Sequence, residues 1–377
     1  MYAQESRESA KKGILIINYN IKTVKTRLKR VQREMRCWDV DAVFISGLEN
    51  VRYLTGFTGS NGAVLITGRE GYFLTDFRYK IQASKEISVY KIRCCNRLLD
   101  GITKLIVKTD IKRIGFEGDK VTYDDHSRFR EKLPDRVLAS LSNELGRIRI
   151  IKSKDEIKHI RKAIDITNRG FNIAAESIAP GVSEKDIAGL IEDEVKKQGA
   201  EAVSFDIIVA SGYRAAFPHG SASSKRIKKG DFVVIDLGVT YKGYNSDETR
   251  TFVVGKPSQR QKTVYQVVKE SNVKAIDMVK PGVRASDIDA ATRDYIKRKG
   301  FGRYFGHGTG HGVGIAVHEP PFISPCSKDI LEEGMVFTIE PGIYIPGWGG
   351  TRIEDMVLVT DSGPEILTTT SKEMVVV

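Results

Sequence analysis

Gly230-Asp231-Phe232-Val233-Val234-Ile235-Asp236-Leu237-Gly238 sets an aspartate inside a run of β-branched and aromatic residues that otherwise reads as a buried strand. The run is answered by Gly334-Met335-Val336-Phe337-Thr338-Ile339-Glu340-Pro341-Gly342, so Asp236 pairs with Glu340. Further along each copy, Asp247, in a strand after a glycine-bearing turn, is matched by Glu354 in Thr351-Arg352-Ile353-Glu354-Asp355. Upstream, Pro218-His219-Gly220 lies opposite Val317-His318-Glu319. Earlier still, Pro180-Gly181-Val182, Asp186-Ile187 and Lys197-Gln198-Gly199 recur as Pro281-Gly282-Val283, Asp287-Ile288 and Arg298-Lys299-Gly300, all at an offset of 101. In both copies a long helix precedes the Pro-Gly turn and a second follows it, ending at glycine. The C-terminal part of the chain is therefore an internal duplication, each copy supplying two carboxylates and at least one histidine.

The remainder of the chain is organised differently. Its 377 residues, 41% of them hydrophobic, suffice for a large core, and at roughly 100 to 200 residues per domain they favour two domains. From about 23 to 141 helix and strand alternate. Val24, Leu28, Val31 and Met35 recur at helical spacing, and strand-like Asp41-Ala42-Val43-Phe44-Ile45, Ala63-Val64-Leu65-Ile66 and Tyr72-Phe73-Leu74 follow between glycine-bearing turns. This predicts a smaller α/β domain over 1–145, with about 1–20 disordered or loosely packed, and a second domain over 146–377. Arg147-Ile148-Arg149-Ile150-Ile151-Lys152-Ser153 leads into a charged helix from about Lys154, with Ser153 and Glu156 spaced as a capping box.

Composition narrows the function classes. No stretch approaches the roughly 18 to 20 apolar residues that span a bilayer, and Gly13-Ile14-Leu15-Ile16-Ile17 is short for a secretory segment, so a cytoplasmic protein without a membrane partner is expected. Cys37, Cys94, Cys95 and Cys326 suit a reducing compartment and lack the two CxxC arms of a structural zinc site. The formal charge of +12 attracts polyanions in general. Its basic residues are scattered, however, and the densest cluster, Lys25-Thr26-Arg27-Leu28-Lys29-Arg30, reads as the wet face of a helix, so no specific nucleic-acid partner is expected.

The duplicated acids carry the chemistry. An ionised carboxylate buried without a partner costs several kcal/mol. Four acids at repeat-related positions, Asp236, Asp247, Glu340 and Glu354, would repel one another if brought together, and divalent cations would resolve the conflict. Of six histidines, three fall in Gly306-His307-Gly308-Thr309-Gly310-His311-Gly312-Val313-Gly314-Ile315-Ala316-Val317-His318-Glu319. There the glycines let backbone approach a crowded centre, and His307, His311 and His318 offer a ligand and proton-handling groups. A phosphate-cradling loop is the competing reading, but no Gly-Lys-Ser/Thr follows.

Taken in order, Phe217-Pro218-His219-Gly220, Asp236-Leu237-Gly238, Ser246-Asp247-Glu248-Thr249-Arg250, the His307 to Glu319 run, Thr338-Ile339-Glu340-Pro341-Gly342 and Arg352-Ile353-Glu354 resemble the pita-bread metallopeptidases over about 150–377. Glu49-Asn50-Val51-Arg52-Tyr53-Leu54-Thr55-Gly56-Phe57 and Thr75-Asp76-Phe77-Arg78-Tyr79 resemble the creatinase/prolidase-type domain of proline peptidases. The resemblance implies an α+β chain: a C-terminal pita-bread fold with an internal pseudo-twofold repeat behind a smaller α/β N-terminal domain. It makes Asp236 a chelating ligand of one metal, His311 and Glu340 ligands of the other, and Asp247 and Glu354 bridges. Manganese is the first expectation for the two divalent ions, with cobalt, zinc and iron as alternatives, since oxygen-rich ligation with one imidazole does not choose among them.

Such a pair, roughly 3.5 to 4 Å apart, would hold a bridging water as nucleophile and polarise the scissile carbonyl. Glu340 then takes the water's proton and passes it to the leaving nitrogen, while His318 and His219 stabilise the oxyanion and His307 lines the pocket. Arg352 either holds a ligand carboxylate or binds a substrate carboxylate. Thr249 and Arg250 are expected to orient Asp247. The resulting expectation is an Xaa-Pro aminopeptidase acting on proline-containing peptides, with an Xaa-Pro dipeptidase (prolidase) as the alternative. Methionine aminopeptidases share the metal site but not the N-terminal domain, and creatinases lack the ligands. Non-catalytic pita-bread binding modules typically lose them. By resemblance the N-terminal domain serves substrate-length control and a homodimer, with Arg78 and Tyr79 either reaching a partner's site or forming a solvated strand end.

Overall fold

The computed structural model describes residues 20–377. The expectation for about 1–20 lies outside the described residues, Asn20 excepted. The chain separates into two compact units, Met1–Ile148 and Arg149–Val377.

The first unit is built on a six-stranded sheet of β1 (Ala42–Ile45), β2 (Ala63–Thr67), β3 (Gly71–Thr75), β4 (Lys91–Cys94), β5 (Arg113–Phe116) and β6 (Val137–Ser140), in the lateral order β4-β3-β2-β1-β5-β6. β1, β2 and β3 pair antiparallel, while β5 and β6 run parallel to β1 after helical crossovers, as parallel pairs require. Ala42, Phe44, Leu65 and Leu74 pack with Ile102, Ile106 and Phe129 from the helices. The helix Ile21–Cys37 buries Val24, Leu28, Val31 and Met35, but its basic cluster is not wholly wet. Arg27 is buried, its guanidinium 3.9 Å from the Tyr53 ring centroid and donating to the Tyr53 carbonyl at 2.7 Å. The aromatic face and the carbonyl together compensate the lost hydration. Exposed Arg78 is tied to its own strand end, where Nη2 meets Asp76 at 2.7 Å.

The second unit contains the duplication. Helices Lys154–Ser177 and Glu184–Lys197 correspond to Gln259–Asp277 and Ala285–Arg298, and Ser153, Ser183 and Ser258 close capping boxes on the first three. Ile208–Ser211, Phe232–Leu237, Glu248–Val253 and Val375–Val376 lie side by side in one sheet. The second copy forms a sheet in the order Glu319–Ile323, Gly310–Gly312, Val336–Ile339, Asp355–Thr360 and Gly363–Ile366, with a separate ribbon of Gly342–Ile345 and Gly349–Arg352.

Strand alternation explains where the acids point. Val233, Ile235 and Leu237 pack on Ile187, Ile191 and Val195 of the first copy's helices. Phe232 and Val234, on the opposite face, pack with Val264, Val268, Ile343 and Ile353 of the second copy. Asp236 continues that second face by the two-residue period, so it is aimed between the copies.

Candidate metal centre

All nine side chains singled out from the sequence, Asp236, Asp247, His311, Glu340, Glu354, His219, His307, His318 and Arg352, line one cavity of about 570 Å³ within the second unit. Two glycines of the histidine-rich run allow the crowding. A Cβ at Gly310 would stand 1.8 Å from the Thr338 carbonyl oxygen, and one at Gly312 would stand 2.2 Å from that of Pro320. Only a residue without a side chain lets this strand lie so close to its neighbours.

The centre is formed by two strand pairs, one continuous and one interrupted. In the first copy, strands Phe232–Leu237 and Glu248–Val253 pair from Leu237↔Glu248 to Phe232↔Val253, with Asp236 opposite Thr249 and Asp247 at the strand's threshold. In the second, the ladder Val336↔Leu358 to Ile339↔Asp355 stops and resumes at Gly342↔Arg352. The break leaves Glu340 and Glu354 facing each other. Their backbone N–H groups go elsewhere: Glu340 donates to the Thr309 carbonyl at 2.8 Å, Glu354 to the Thr249 carbonyl at 3.2 Å.

One oxygen or nitrogen each from Asp247, His311 and Glu354 lies within 4.8 Å of the others. His311 Nε2 stands 3.4 Å from Glu340 Oε1 and 3.6 Å from Asp247 Oδ2, while Nδ1 lies 3.2 Å from the Gly312 carbonyl. A proton on Nδ1 serves that carbonyl and leaves the Nε2 lone pair facing two carboxylates. Burial, with His318 beside it, holds this imidazole down at about 4, so it is neutral at pH 7.

The carboxylates repel one another. Burial drives Asp247 well above the ordinary range, and the charges of Glu354, Asp236 and Glu340 push the same way. Burial likewise lifts Glu354, with Glu340 and Asp236 adding to it, and lifts Glu340 to about 7. Asp236 is raised by burial despite Arg352, whose Nη2 donates to Oδ2 at 2.5 Å, and Oδ1 is buried without a hydrogen-bond partner. An orphaned oxygen, three further crowded carboxylates and an imidazole lone pair form a donor set that divalent cations fit.

Supporting residues explain the aim of each group. Arg352 also donates from Nε to Thr249 Oγ1 at 2.9 Å and from Nη1 to the Tyr344 hydroxyl at 3.0 Å and the Pro218 carbonyl at 3.1 Å. It thus holds a carboxylate, one of the two roles open from the sequence. Thr249 Oγ1 donates to Glu354 Oε2 at 2.6 Å. Thr249 and Arg250 do not meet Asp247 as expected. Alternation sends Arg250 to the other face of the strand, where Nη2 contacts Glu248 and Asp355, each at 2.9 Å. His307 Nε2 meets the Tyr344 hydroxyl at 3.0 Å, and burial next to Arg352 lowers this imidazole to about 4.

Several residues of the site escape sequence reasoning. Tyr344 braces His307 and Arg352, but in sequence it is one more aromatic in an apolar strand. Buried Asp289 accepts from Thr309 N at 3.1 Å and Oγ1 at 2.8 Å, anchoring the histidine-rich run to a helix. A carboxylate on a helix face carries no signal by itself. Phe205, Asp206 and Phe322 complete the cavity wall.

Comparisons with known proteins identify the family and the fold. Residues 158–361 match the metallopeptidase family M24, and residues 27–151 match the creatinase/prolidase N-terminal domain. The Xaa-Pro dipeptidase of Pyrococcus furiosus is 40% identical over 354 residues, 93% of this chain and 100% of that protein. The structure of the Xaa-Pro dipeptidase from Bacillus anthracis superposes with a TM-score of 0.90 at 42% identity, covering 94% of this chain and 100% of that one. That of the X-Pro aminopeptidase from Thermotoga maritima gives 0.86 at 38% identity, covering 93% and 99%.

Proposed function

The chain belongs to the metallopeptidase family M24, with a creatinase/prolidase-type domain ahead of its pita-bread unit, and from that premise we propose that it is an Xaa-Pro dipeptidase. The sequence alone favoured an aminopeptidase. Relatives named Xaa-Pro dipeptidase that match from end to end at 40% and 42% identity shift the reading to the alternative.

The proposal assigns two divalent ions, manganese first, to Asp236, Asp247, His311, Glu340 and Glu354. The observation that carries it is the facing of His311 Nε2 toward Asp247 and Glu340 amid buried, mutually repelling acids. When bound, the ions supply an acidified water and a polarised scissile carbonyl. Glu340 takes the attacking water's proton and returns it to the leaving proline nitrogen. His318 and His219 donate to the developing oxyanion. His307, braced by Tyr344, shapes the wall against which the substrate rests. Arg352 keeps Asp236 oriented.

A homodimer and a cytoplasmic location complete the proposal. Exposed Phe77 and Ile81 of the first unit offer apolar area to a second copy, and the four cysteines, all free thiols, suit a reducing compartment. Sedimentation tests the dimer.

Hydrolysis of Ala-Pro, Ala-Pro-Ala and Met-Ala with added Mn²⁺ tests the activity. Fast turnover of Ala-Pro, negligible turnover of the other two and loss of activity on chelation are expected, with Glu340→Gln lowering kcat by about 10³-fold. Preferential cleavage of Ala-Pro-Ala would return the assignment to the aminopeptidase.

A further inference from the structure

His318 and Glu319 are adjacent, but their side chains part company. His318 lines the cavity, while the carboxylate of Glu319 enters a buried ion cluster outside it. Lys152 Nζ meets Oε1 at 2.8 Å and Arg149 Nη2 meets Oε2 at 3.0 Å, with side chains only 1%, 8% and 2% exposed for the lysine, the arginine and the glutamate. A buried cluster of this kind fixes geometry more than it adds stability, because desolvation offsets much of the attraction.

The cluster grips the loop that ends in His318. The Ala316 N–H donates to Glu319 Oε2 at 3.3 Å. Gly314 lies so close that a Cβ there would stand 2.4 Å from Glu319 Oε1 and 3.2 Å from Lys152 Cε. From the other side, Asn245 Nδ2 donates to the Gly314 and Ile315 carbonyls at 3.2 and 2.8 Å. The cations come from the first residues of the unit, and Ile151 bridges to Met335, next to the strand that leads to Glu340.

The His318 imidazole itself has no hydrogen bond among the described residues and rests on the His311 ring, centroids 4.2 Å apart. Its placement must therefore come through its backbone. We propose that Glu319, locked by Arg149 and Lys152, is a positioning residue that acts on the reaction through His318. The proposal rests on the role given to His318 above.

A double-mutant cycle tests it, using the best substrate of the peptide panel at saturating Mn²⁺. Glu319→Gln and Arg149→Met are each expected to lower kcat by about ten- to a hundredfold, the cost of misplacing a catalytic group by about 1 Å, with KM changed less than about twofold. Arg149→Lys should restore most of the rate. In a His318→Ala background neither substitution should slow the enzyme further. Effects that multiply in the double variants, or that fall on KM and melting temperature with kcat intact, would overturn the positioning role. Should Glu319→Gln not fold, Arg149→Met carries the same comparison, since it leaves the Lys152–Glu319 pair in place. If His318→Ala alone leaves kcat unchanged, the role of His318 fails first and this inference falls with it; failure confined to the double variants leaves that role standing.

Discussion

In the first copy of the duplicated unit Asp236 sits inside a strand paired on both sides, opposite Ile208 and Thr249, whereas in the second copy Glu340 and Glu354 face each other where a ladder breaks. The short acid is placed by an unbroken backbone and countered by Arg352. The long acids reach out of a gap, Glu354 steadied from the first copy through the Thr249 hydroxyl and carbonyl, Glu340 from its own copy through Thr338 and the Thr309 carbonyl. Duplication thus supplies matching positions, and divergence splits the work: one copy contributes a rigid edge and His219, the other two longer arms and the remaining three imidazoles. Buried like charges that face each other repel, so Glu340 and Glu354 carry a repulsion that the Asp236–Arg352 pair does not.

The metal-free protein at alkaline pH offers the largest effect by which to break that contrast. Glu340 is held up at about 7 from 4.5, and Asp247 and Glu354 well above the carboxylate range, so the folded state retains protons that the unfolded chain releases. The Glu340 contribution to stability is full below about 4.5 and is lost as pH rises through 7, and those of Asp247 and Glu354 run in the same direction. His307 and His311, lowered from 6.5 to about 4, act oppositely, losing stability as pH falls across that window, so above 6.5 the carboxyls titrate unopposed. At pH 8 without metal, Glu354→Gln should therefore raise the melting temperature, by about 1 to 3 kcal/mol of stability. Asp236→Asn should lower it by about 3 kcal/mol, because Arg352 is left buried without its counter-charge. Thermal melts in chelator check both, and two shifts of the same sign would remove the distinction between the copies.

Metal affinity gives a smaller, sharper test. Thr249 serves Glu354 with a 2.6 Å bond from the other copy, whereas Thr338 serves Glu340 from its own strand at 3.3 Å. Thr249→Val should weaken Mn²⁺ binding about 10- to 100-fold and Thr338→Val by less, with both proteins folded. Calorimetric titration of Mn²⁺ reads the order, and a larger loss at Thr338 would mean that the second copy organises its own acids.

The contrast also explains what was legible in the sequence. Asp236 and Glu340 stood out because a carboxylate in an apolar strand breaks a visible pattern, and the repeat made the anomaly double. The capped helices and the strands of the first unit were readable from local spacing for the same reason. What the sequence did not convey was direction across the fold. Arg250 lies three residues from Asp247 but alternation turns it toward Glu248 and Asp355, and Glu319 follows a cavity histidine yet points into a buried ion cluster. Arg27, read as solvated, is claimed by an aromatic ring and a carbonyl that are distant in sequence. Tyr344 and Asp289 act only through partners that folding brings to them.

The cavity wall extends the comparison to substrate choice, with the smallest expected effect. Phe205, Asp206 and Ile208 come from the first copy, Phe322 and Ser324 from the second. Asp206 is exposed and has no ion pair or hydrogen bond among the described residues, so its charge is available to a cationic side chain of the substrate. An exposed pair is worth about 1 kcal/mol at most, or roughly fivefold in kcat/KM. Asp206→Asn should therefore lower kcat/KM for Lys-Pro up to fivefold while leaving Ala-Pro unchanged, and 0.5 M salt, added as about the amount that shortens the Debye length to a few Å, should erase the difference in the parent protein. Phe322→Ala, which removes an uncharged contact, should slow both substrates alike. If Lys-Pro and Ala-Pro respond in parallel to Asp206→Asn as well, the first copy's rim contributes no charge selectivity, and discrimination among N-terminal residues must arise from the apolar side of the second.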